Sequence, residues 1–153
     1  MNILGIDPGN VQSAIVLYNT ETKTIDMARI QKNEELAGAL VYFQHTKIKP
    51  YIEMIASYGM AVGKEVFNTC VWIGRFLQIL EINEPELIYR KDVKLTLCNS
   101  MRAKDTNIRQ ACIDILGKEK TKGIKKDMWS ALAICLTVAS NFAENRSTIE
   151  KKV

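Results

Sequence analysis

Two carboxylates of this chain stand inside apolar segments, where an uncompensated charge is costly. Asp7 ends the run Ile-Leu-Gly-Ile-Asp, and Glu53 interrupts the run Tyr-Ile-Glu-Met-Ile. If the two segments are neighbouring strands, their carboxylates repel each other and a divalent cation relieves the repulsion. A third acid, Asp127, precedes a long apolar segment. Three acids on separate elements suit a hard ion such as Mg²⁺ or Mn²⁺.

Each of these acids also has an ordinary structural interpretation. Asp7 could form a turn at a strand end, Glu53 could face solvent, and Asp127 could cap a helix. Taken singly, each is explained in this way about as readily as by metal binding. Their occurrence together favours the metal site.

The cysteine and histidine residues do not predict a zinc site. The only histidine is His45, and no CxxC pair occurs. Buried free thiols are the expected state of Cys70, Cys98, Cys112 and Cys135. Free thiols, an N-terminus without a secretory signal pattern, and the lack of an apolar run long enough to cross a bilayer predict a cytoplasmic protein without membrane contact.

The hydrophobic pattern predicts the elements that must position these residues. Strands are predicted at 3–7, 13–18, 24–30, 51–55 and 86–89, and helices at about 34–46, 64–80, 92–98, 106–116 and 127–142. This order is typical of a mixed α/β sheet covered by helices, in a single domain over 1–153. Asn33 is predicted to cap the first helix, Asp105 or Thr106 to cap the fourth, and Gly117 to end it.

Basic residues are concentrated in one segment. From Arg90 to Lys126 there are eleven Lys and Arg against four Asp and Glu, a local charge of +7 in a chain whose net charge is +4. Such a segment favours a nucleic-acid partner, although an ordinary solvated surface explains the charge equally well.

Several motifs, taken in their order, resemble the RuvC family of Holliday-junction resolvases. They are Gly-Ile-Asp-Pro-Gly-Asn at 5–10, Ile52-Glu53 before a glycine-containing loop, and Asp-x-x-Ser-Ala-Leu-Ala at 127–133. The likeness extends to a helix around Gly74, the pair Val93-Lys94 and the basic stretch Arg102–Lys104. The short length and divergent loops are closer to phage-borne members than to cellular ones.

The resemblance implies an RNase H-like fold and a homodimeric, Mg²⁺-dependent endonuclease, with Mn²⁺ as a substitute, that nicks branched DNA such as four-way junctions. It implies that Asp7, Glu53 and Asp127 are the catalytic metal ligands. This chain departs from the family at Ser130, where a second acid is common, and Asp105 is a candidate replacement ligand. A phage-borne member would act in the host cytoplasm.

DNA contacts are predicted at four positions. Lys91, Lys94 and Lys104 would contact phosphates, which give affinity with little sequence information. Tyr58, in the loop after Glu53, carries a ring that can stack on an unpaired base. Packing of Tyr58 against the following helix is the alternative.

The helix over 64–80 favours a dimer. It carries Trp72, Ile73, Gly74 and Phe76, more apolar surface than a sheet-covering helix needs on one side. The alternative is that all of this surface is core.

Three other functions are compatible with the sequence. The first is a junction- or nucleic-acid-binding module without catalysis, which Ser130 favours. The second is an RNase H that acts on RNA–DNA hybrids. The third is a fragment of an actin-like ATPase, because that fold also opens on a strand ending in Gly-Ile-Asp-x-Gly, but it needs a second lobe and a further phosphate motif.

Overall fold

Five strands and five helices make up the fold in a computed structural model that describes residues 1–153. The strands are β1 (Asn2–Asp7), β2 (Gln12–Asn19), β3 (Thr24–Lys32), β4 (Ile48–Met54) and β5 (Glu86–Tyr89). The helices are α1 (Asn33–Leu40), α2 (Lys64–Ile79), α3 (Arg90–Cys98), α4 (Asp105–Leu116) and α5 (Met128–Lys152), with short 3₁₀ turns at Val41–Phe43 and Glu81–Asn83.

The strands form one mixed sheet in the order β3-β2-β1-β4-β5. The first three strands pair antiparallel, whereas β4 pairs parallel with both β1 and β5. The predicted mixed five-stranded sheet covered by helices is therefore confirmed. The parallel pairing places Ile6 of β1 opposite Ile52 of β4, so that the residues following each of them lie at the same end of the sheet.

Alternation of side chains along the strands divides the core into two clusters. The face that we call the α5 face is covered by α3, α4 and α5 and contains 18 buried residues, among them Ile3, Tyr51 and Leu132. The opposite face, called the α2 face, is covered by α1 and α2. It contains 11 buried residues, including Ile6 and Phe76.

Gly5 allows α5 to lie directly on β1. A Cβ atom at Gly5 would collide with the carbonyl oxygen of Ala131 and would stand 2.8 Å from the Sγ atom of Cys135. Cys135 is fully buried there as a free thiol. Any side chain at position 5 would therefore separate the last helix from the first strand.

Three element boundaries differ from the predicted ones by three residues or more. Strand β4 begins at Ile48, three residues early, because its first residues also enter the parallel ladder. Helix α1 ends at Leu40 and continues only as a 3₁₀ turn. Helix α5 continues ten residues beyond the predicted end at 142, and these residues are exposed, so no apolar pattern marks them.

The predicted helix caps are partly wrong. Asn33 is the first residue of α1 rather than its cap, and its buried side chain forms hydrogen bonds elsewhere. Lys104, not Asp105 or Thr106, holds the N-cap position of α4, where its backbone N–H donates to the side chain of Asn107. Gly117 ends the helix as predicted.

No helix of the chain is both long enough and apolar enough to span a bilayer.

Candidate metal centre and nucleic-acid surface

Asp7 and Glu53 lie side by side at one end of the sheet. Each directly follows a member of the pair Ile6–Ile52 on adjacent parallel strands. Because side chains alternate along a strand, both carboxylates project to the α5 face. The predicted convergence of these two acids is thus a direct result of the strand order.

Asp127 reaches the same region from the other side. It holds the N-cap position of α5, but its side chain makes no capping hydrogen bond, and the residue is exposed. Its carboxylate is therefore not used to start the helix. The close contact of α5 with β1 at Gly5 brings the start of this helix to the end of β1, and the negative charge of Asp127 acts on Asp7.

The environment of Asp7 disfavours its charged form. Burial, followed by the negative charges of Glu53 and Asp127, raises the pKa of Asp7 to about 8, while the guanidinium of Arg90 opposes this effect. Burial also raises the pKa of Glu53, and Arg90 again opposes it. Two partly buried carboxylates that both resist ionisation are a site in which a cation would be stabilised.

The turn that follows Asp7 is fixed by a small buried network. The backbone N–H of Gly9 donates to the Oγ atom of Ser13 at 3.1 Å, and the Ser13 hydroxyl donates to the Oδ1 atom of Asn33 at 2.6 Å. The Nδ2 atom of Asn33 then donates to the carbonyl oxygen of Gly9 at 2.8 Å. The side chain of Asn33 therefore holds the end of β1 in place.

Arg90 is the site residue that sequence reasoning missed. Its Nη2 atom lies 2.5 Å from the Oδ1 atom of Asp105, and its Nη1 atom lies 3.7 Å from the Oε2 atom of Glu53. No pattern in the sequence marks this residue: Arg90 directly follows β5, and only the parallel pairing of Tyr89 with Met54 brings it to Glu53.

The three predicted acids do not enclose an ion as they stand. No three Asp, Glu, Cys or His side chains lie close enough together to do so. Asp7 and Glu53 are adjacent, Asp127 acts on Asp7 from the start of α5, and Arg90 contacts Glu53. The donor chemistry is nevertheless that of a hard cation, because every nearby acid offers carboxylate oxygens. The Oε2 atom of Glu53 is buried and accepts no hydrogen bond, so one lone-pair site faces the interior unfilled.

A basic cavity adjoins this cluster. It has a volume of about 360 Å³, and its lining includes Arg90, Asp105, Arg109, Asp127 and Ser130. Lys125 and Lys126 also line it, and the guanidinium of Arg109 lies 5.0 Å from the centre of the Trp129 ring. Ser130, the departure from the family pattern, is half-buried and borders the same cavity as Asp127.

The three lysines predicted to contact DNA differ in their relation to the acids. The positive charge of Lys94 acts on Glu53 and helps to oppose the effect of burial on the pKa of that carboxylate. Lys91 and Lys104 are exposed, on the first turn of α3 and just before α4 respectively.

Tyr58 stands in the loop that joins β4 to α2. Its side chain is 65% exposed and that of Met60 is 74% exposed, so neither packs on the following helix. Tyr58 and Gly59 both have positive φ, which makes the loop turn sharply at the aromatic residue.

The residues predicted for the dimer interface are mostly core. Trp72, Ile73 and Phe76 are buried on the α2 face, because they lie on the inward side of α2. The outward side carries a different stripe, Phe67, Val71 and Gly74, of which Phe67 is 61% and Val71 is 59% exposed. We call these three residues the α2 stripe.

Comparison with known proteins supports the fold directly. No family model matches the sequence, and no curated protein sequence matches it. The structure of Thermus thermophilus RuvC superimposes with a TM-score of 0.77 at 19% identity, covering 95% of this chain and 97% of that one. T. thermophilus RuvC in complex with a Holliday junction substrate gives a TM-score of 0.72 at 19% identity, covering 94% and 96%. The chain therefore has the RuvC-like, RNase H-like α/β fold over nearly its whole length.

Proposed function

We propose that this protein is a metal-dependent endonuclease that nicks branched DNA such as four-way junctions. The observation that carries the proposal is the placement of Asp7 and Glu53 on adjacent parallel strands, beside Asp127, in a fold shared with a protein solved on a Holliday junction substrate. Nuclease chemistry explains why buried acids, costly to the fold, converge at one end of the sheet.

The metal would be Mg²⁺, with Mn²⁺ as a substitute, held by Asp7, Glu53 and Asp127. Bound there, it would supply an activated water and stabilisation of the leaving 3′-oxygen. Asp7 would be the ligand shared with both other acids, because it lies beside Glu53 on the adjacent strand and near the start of α5, which Asp127 precedes. Ser130, close to Asp127, can contribute only through a hydroxyl, so the scissile phosphate has to complete the coordination.

DNA would enter along the basic cavity beside the acids. The positive charge of Lys94 acts on Glu53, and Lys125 and Lys126 line the cavity next to Asp127. Lys91 and Lys104 extend the positive surface along α3 and to the start of α4. Contacts of this kind bind phosphates without reading sequence, so selection must come from the shape of the substrate.

Tyr58 would provide that selection. Its loop leaves β4 immediately after Glu53 and Met54 and presents an exposed ring near the site. A junction centre offers unstacked bases more readily than a linear duplex does, and an exposed aromatic ring can stack on such a base. Met60, exposed in the same loop, could wedge between bases in the same way.

The second strand of a junction would be cut by a second copy of the chain. The α2 stripe is an exposed apolar surface on a helix, and Gly74 has no atom within 4 Å of the position its Cβ would take. A small residue that follows two apolar ones on the same side of a helix allows a partner helix to approach closely. We therefore place the dimer interface at the α2 stripe rather than at the buried residues Trp72, Ile73 and Phe76.

The test is cleavage of four substrates in Mg²⁺: a synthetic four-way junction, a linear duplex, a Y-fork and an RNA–DNA hybrid. We expect paired nicks in the junction and little cutting of the duplex. Asp7→Asn should lower the junction cleavage rate by about two to three orders of magnitude or more, because it removes a metal ligand. Junction binding should stay within about threefold, since a carboxylate contributes little to phosphate contacts.

Asp26→Asn is the matched control, because Asp26 is an exposed acid on β3, away from the site. It should cut as the unaltered protein does. An Asp7→Asn protein that cuts at the normal rate would remove Asp7 from the mechanism. Junction binding without nicking of any substrate would favour a non-catalytic binding module, and preferred cutting of the hybrid would favour an RNase H.

A further inference from the structure

Arg90 joins the acidic cluster to a second acid that the proposed metal site does not use. Its guanidinium stands between Glu53 and Asp105, with Nη2 at 2.5 Å from Asp105 and Nη1 at 3.7 Å from Glu53. The longer distance is outside hydrogen-bonding range. The Nη1 atom and the Glu53 Oε2 atom are in fact both buried without a hydrogen-bond partner. Arg90 thus has an unused donor beside the proposed metal site.

Apart from its ion pair with Arg90, the side chain of Asp105 makes no hydrogen bond or salt bridge. Its side chain is 86% exposed, and its only recorded contact is with Arg90. It is not needed to start α4, because the N-cap position belongs to Lys104 and the capping acceptor is the Asn107 side chain. Because Asp105 is exposed, solvent screens its attraction to the largely buried Arg90, and its contribution to folding stability is small. Asp105 is therefore an anion that can leave Arg90 without disturbing the fold.

The chemistry of the guanidinium identifies what would replace it. A guanidinium binds a carboxylate and a phosphate in the same forked geometry, with two N–H groups donating to two oxygens. Arg90 lines the basic cavity together with Arg109, Lys125 and Asp127, so an anion displacing Asp105 would lie between the basic residues and the acids. A DNA phosphate is such an anion.

We propose that Arg90 binds the scissile phosphate and that Asp105 occupies the place of this phosphate while DNA is absent. The proposal rests on the proposed nuclease function and adds to it a catalytic residue. Arg90 contacts Glu53 and is fixed before substrate arrives, so its charge is available where negative charge increases on the reacting phosphate. The same arrangement makes Asp105 a competitor of DNA instead of a metal ligand.

The experiment compares Arg90→Gln, Arg90→Lys and Asp105→Asn in three measurements: junction affinity in EDTA, Mn²⁺ affinity without DNA, and single-turnover cleavage. Arg90→Gln should weaken metal-free junction binding several-fold and slow cleavage by about a hundredfold or more, the loss typical of one transition-state donor. Its Mn²⁺ affinity should rise, because a competing cation beside Glu53 is gone. Arg90→Lys should cut at an intermediate rate, since it keeps the charge but loses the fork.

Asp105→Asn should behave in the opposite way, binding the junction about two- to fivefold more tightly in EDTA, with Mn²⁺ affinity unchanged. Arg146→Gln is the matched control, because Arg146 lies on the exposed end of α5. Thermal melting of each variant shows that it is folded. If Arg90 only balances the charge of Glu53, Arg90→Gln will bind Mn²⁺ more tightly and cut at least as fast as the unaltered protein.

Other outcomes separate this inference from the nuclease proposal. Loss of Mn²⁺ affinity in Asp105→Asn would make Asp105 a metal ligand and overturn the inference, while leaving the nuclease intact. If the unaltered protein cuts no substrate, the nuclease proposal fails. Opposite shifts of metal-free junction affinity in Arg90→Gln and Asp105→Asn would then still support the shared phosphate site. Equal junction affinities of all variants in EDTA would overturn it.

Discussion

The two faces of the sheet use apolar helices in different ways. Nine of the first eleven residues of helix α5 are buried, and the helix touches β1 so closely that only glycine fits at position 5. Helix α2 buries only its inward side and leaves the α2 stripe in solvent. On the α5 face the first part of α5 is covered within the chain, whereas on the α2 face the outward side of α2 has no partner in the chain.

This difference gives the two faces of the sheet different roles. The α5 face fixes Asp127 relative to Asp7 by packing, so the geometry of the acids depends on the core. The α2 face, with the loop that carries Tyr58, leaves apolar side chains exposed, and the proposed function assigns them contacts with DNA and a second copy. Changes on the α5 face should therefore alter chemistry, and changes on the α2 face should alter the recognition of DNA and of a second copy.

The largest effect is expected for Gly5→Ala, which would break the close packing on the α5 face. The added methyl group collides with the backbone of Ala131, so α5 must move away from β1. Cleavage should fall on the order of a hundredfold, as expected for a misplacement of about 1 Å. The free energy of unfolding should fall by about 1–3 kcal/mol.

Gly38→Ala is the matched control for this prediction, because Gly38 lies inside α1 with open space at its Cβ position. That change should raise the free energy of unfolding by up to about 1 kcal/mol and leave cleavage unaffected. The separation of the faces would be wrong if Gly5→Ala lost stability but kept full activity.

The second prediction concerns the pH dependence of the α5 face. Asp7, with a pKa of about 8 against an ordinary 3.8, keeps its proton in the folded protein and must lose it to bind a cation. Mn²⁺ affinity should therefore rise by up to about tenfold per pH unit below pH 8 and level off above it. Besides burial, the charges of Glu53, Asp127 and Asp105 raise the pKa of Asp7, and Arg90 lowers it. The midpoint of the pH dependence is therefore a property of the whole cluster and not of Asp7 alone.

The same proton also affects metal-free stability. Because the pKa of Asp7 is higher in the folded than in the unfolded protein, its proton contributes to the free energy of unfolding. This contribution is present in full below about pH 4 and is lost as the pH rises through about 8. Replacement of Asp7 by Asn removes this loss. The stability advantage of Asp7→Asn should therefore increase between these two pH values, as measured by chemical unfolding in EDTA, and a constant difference would contradict the raised pKa.

A tenfold effect is expected from the loop before α2. Tyr58→Ala should lower junction cleavage by about tenfold or more, the loss of one stacked base being worth roughly 1–3 kcal/mol. Salt-dependent binding to linear duplex should be kept, because that binding depends on Lys and Arg. Tyr42→Ala is the control, since Tyr42 is 83% exposed and follows α1. A lower melting temperature in Tyr58→Ala, with activity that follows the folded fraction, would make Tyr58 a packing residue.

The smallest effect should come from Gly74→Ala. In a single copy the change should raise stability slightly, as in Gly38→Ala, because nothing stands near its Cβ position. At a helix–helix contact the added methyl group should hold the partner away and raise the dimer dissociation constant by a few-fold. Sedimentation at several concentrations would measure this, and equal behaviour of the two glycine variants would place the dimer interface away from the α2 stripe.

Sequence patterns predicted the parts of this fold that rest on local periodicity. Strand β5 has the predicted boundaries, and α2 and α4 differ from the predicted ranges by one residue at one end. The pairing of Asp7 with Glu53 could also be expected, because a charge inside an apolar strand requires an explanation. The end of α5 could not, because residues 143–152 are exposed and charged and show no apolar stripe.

The missing parts of the site depend on contacts between distant segments. Arg90 becomes part of the site only when β5 pairs with β4, and it then contacts Glu53 and Asp105. Apolar residues at helical spacing do not show which side of α2 faces the sheet. The sequence therefore predicted a dimer contact at Trp72 and Phe76, which are core residues, and did not indicate the exposed α2 stripe. Asn33 looked like a cap because it precedes a helix, while its amide is used by the turn after β1.

The order of the acids along the chain affects when the protein can act during its synthesis. Asp7 and Glu53 come from the first and fourth strands, and Asp127 comes just before the last helix, 120 residues after Asp7. The parallel pairing of β1 with β4 and the packing of α5 on β1 are long-range contacts, which form late in folding. A growing chain that has folded its first four strands and α2 would hold two of the acids but lack the third. On the proposed assignment, a copy that ends before Asp127 cannot cut DNA, and nuclease activity appears only once the first part of α5 has packed on β1.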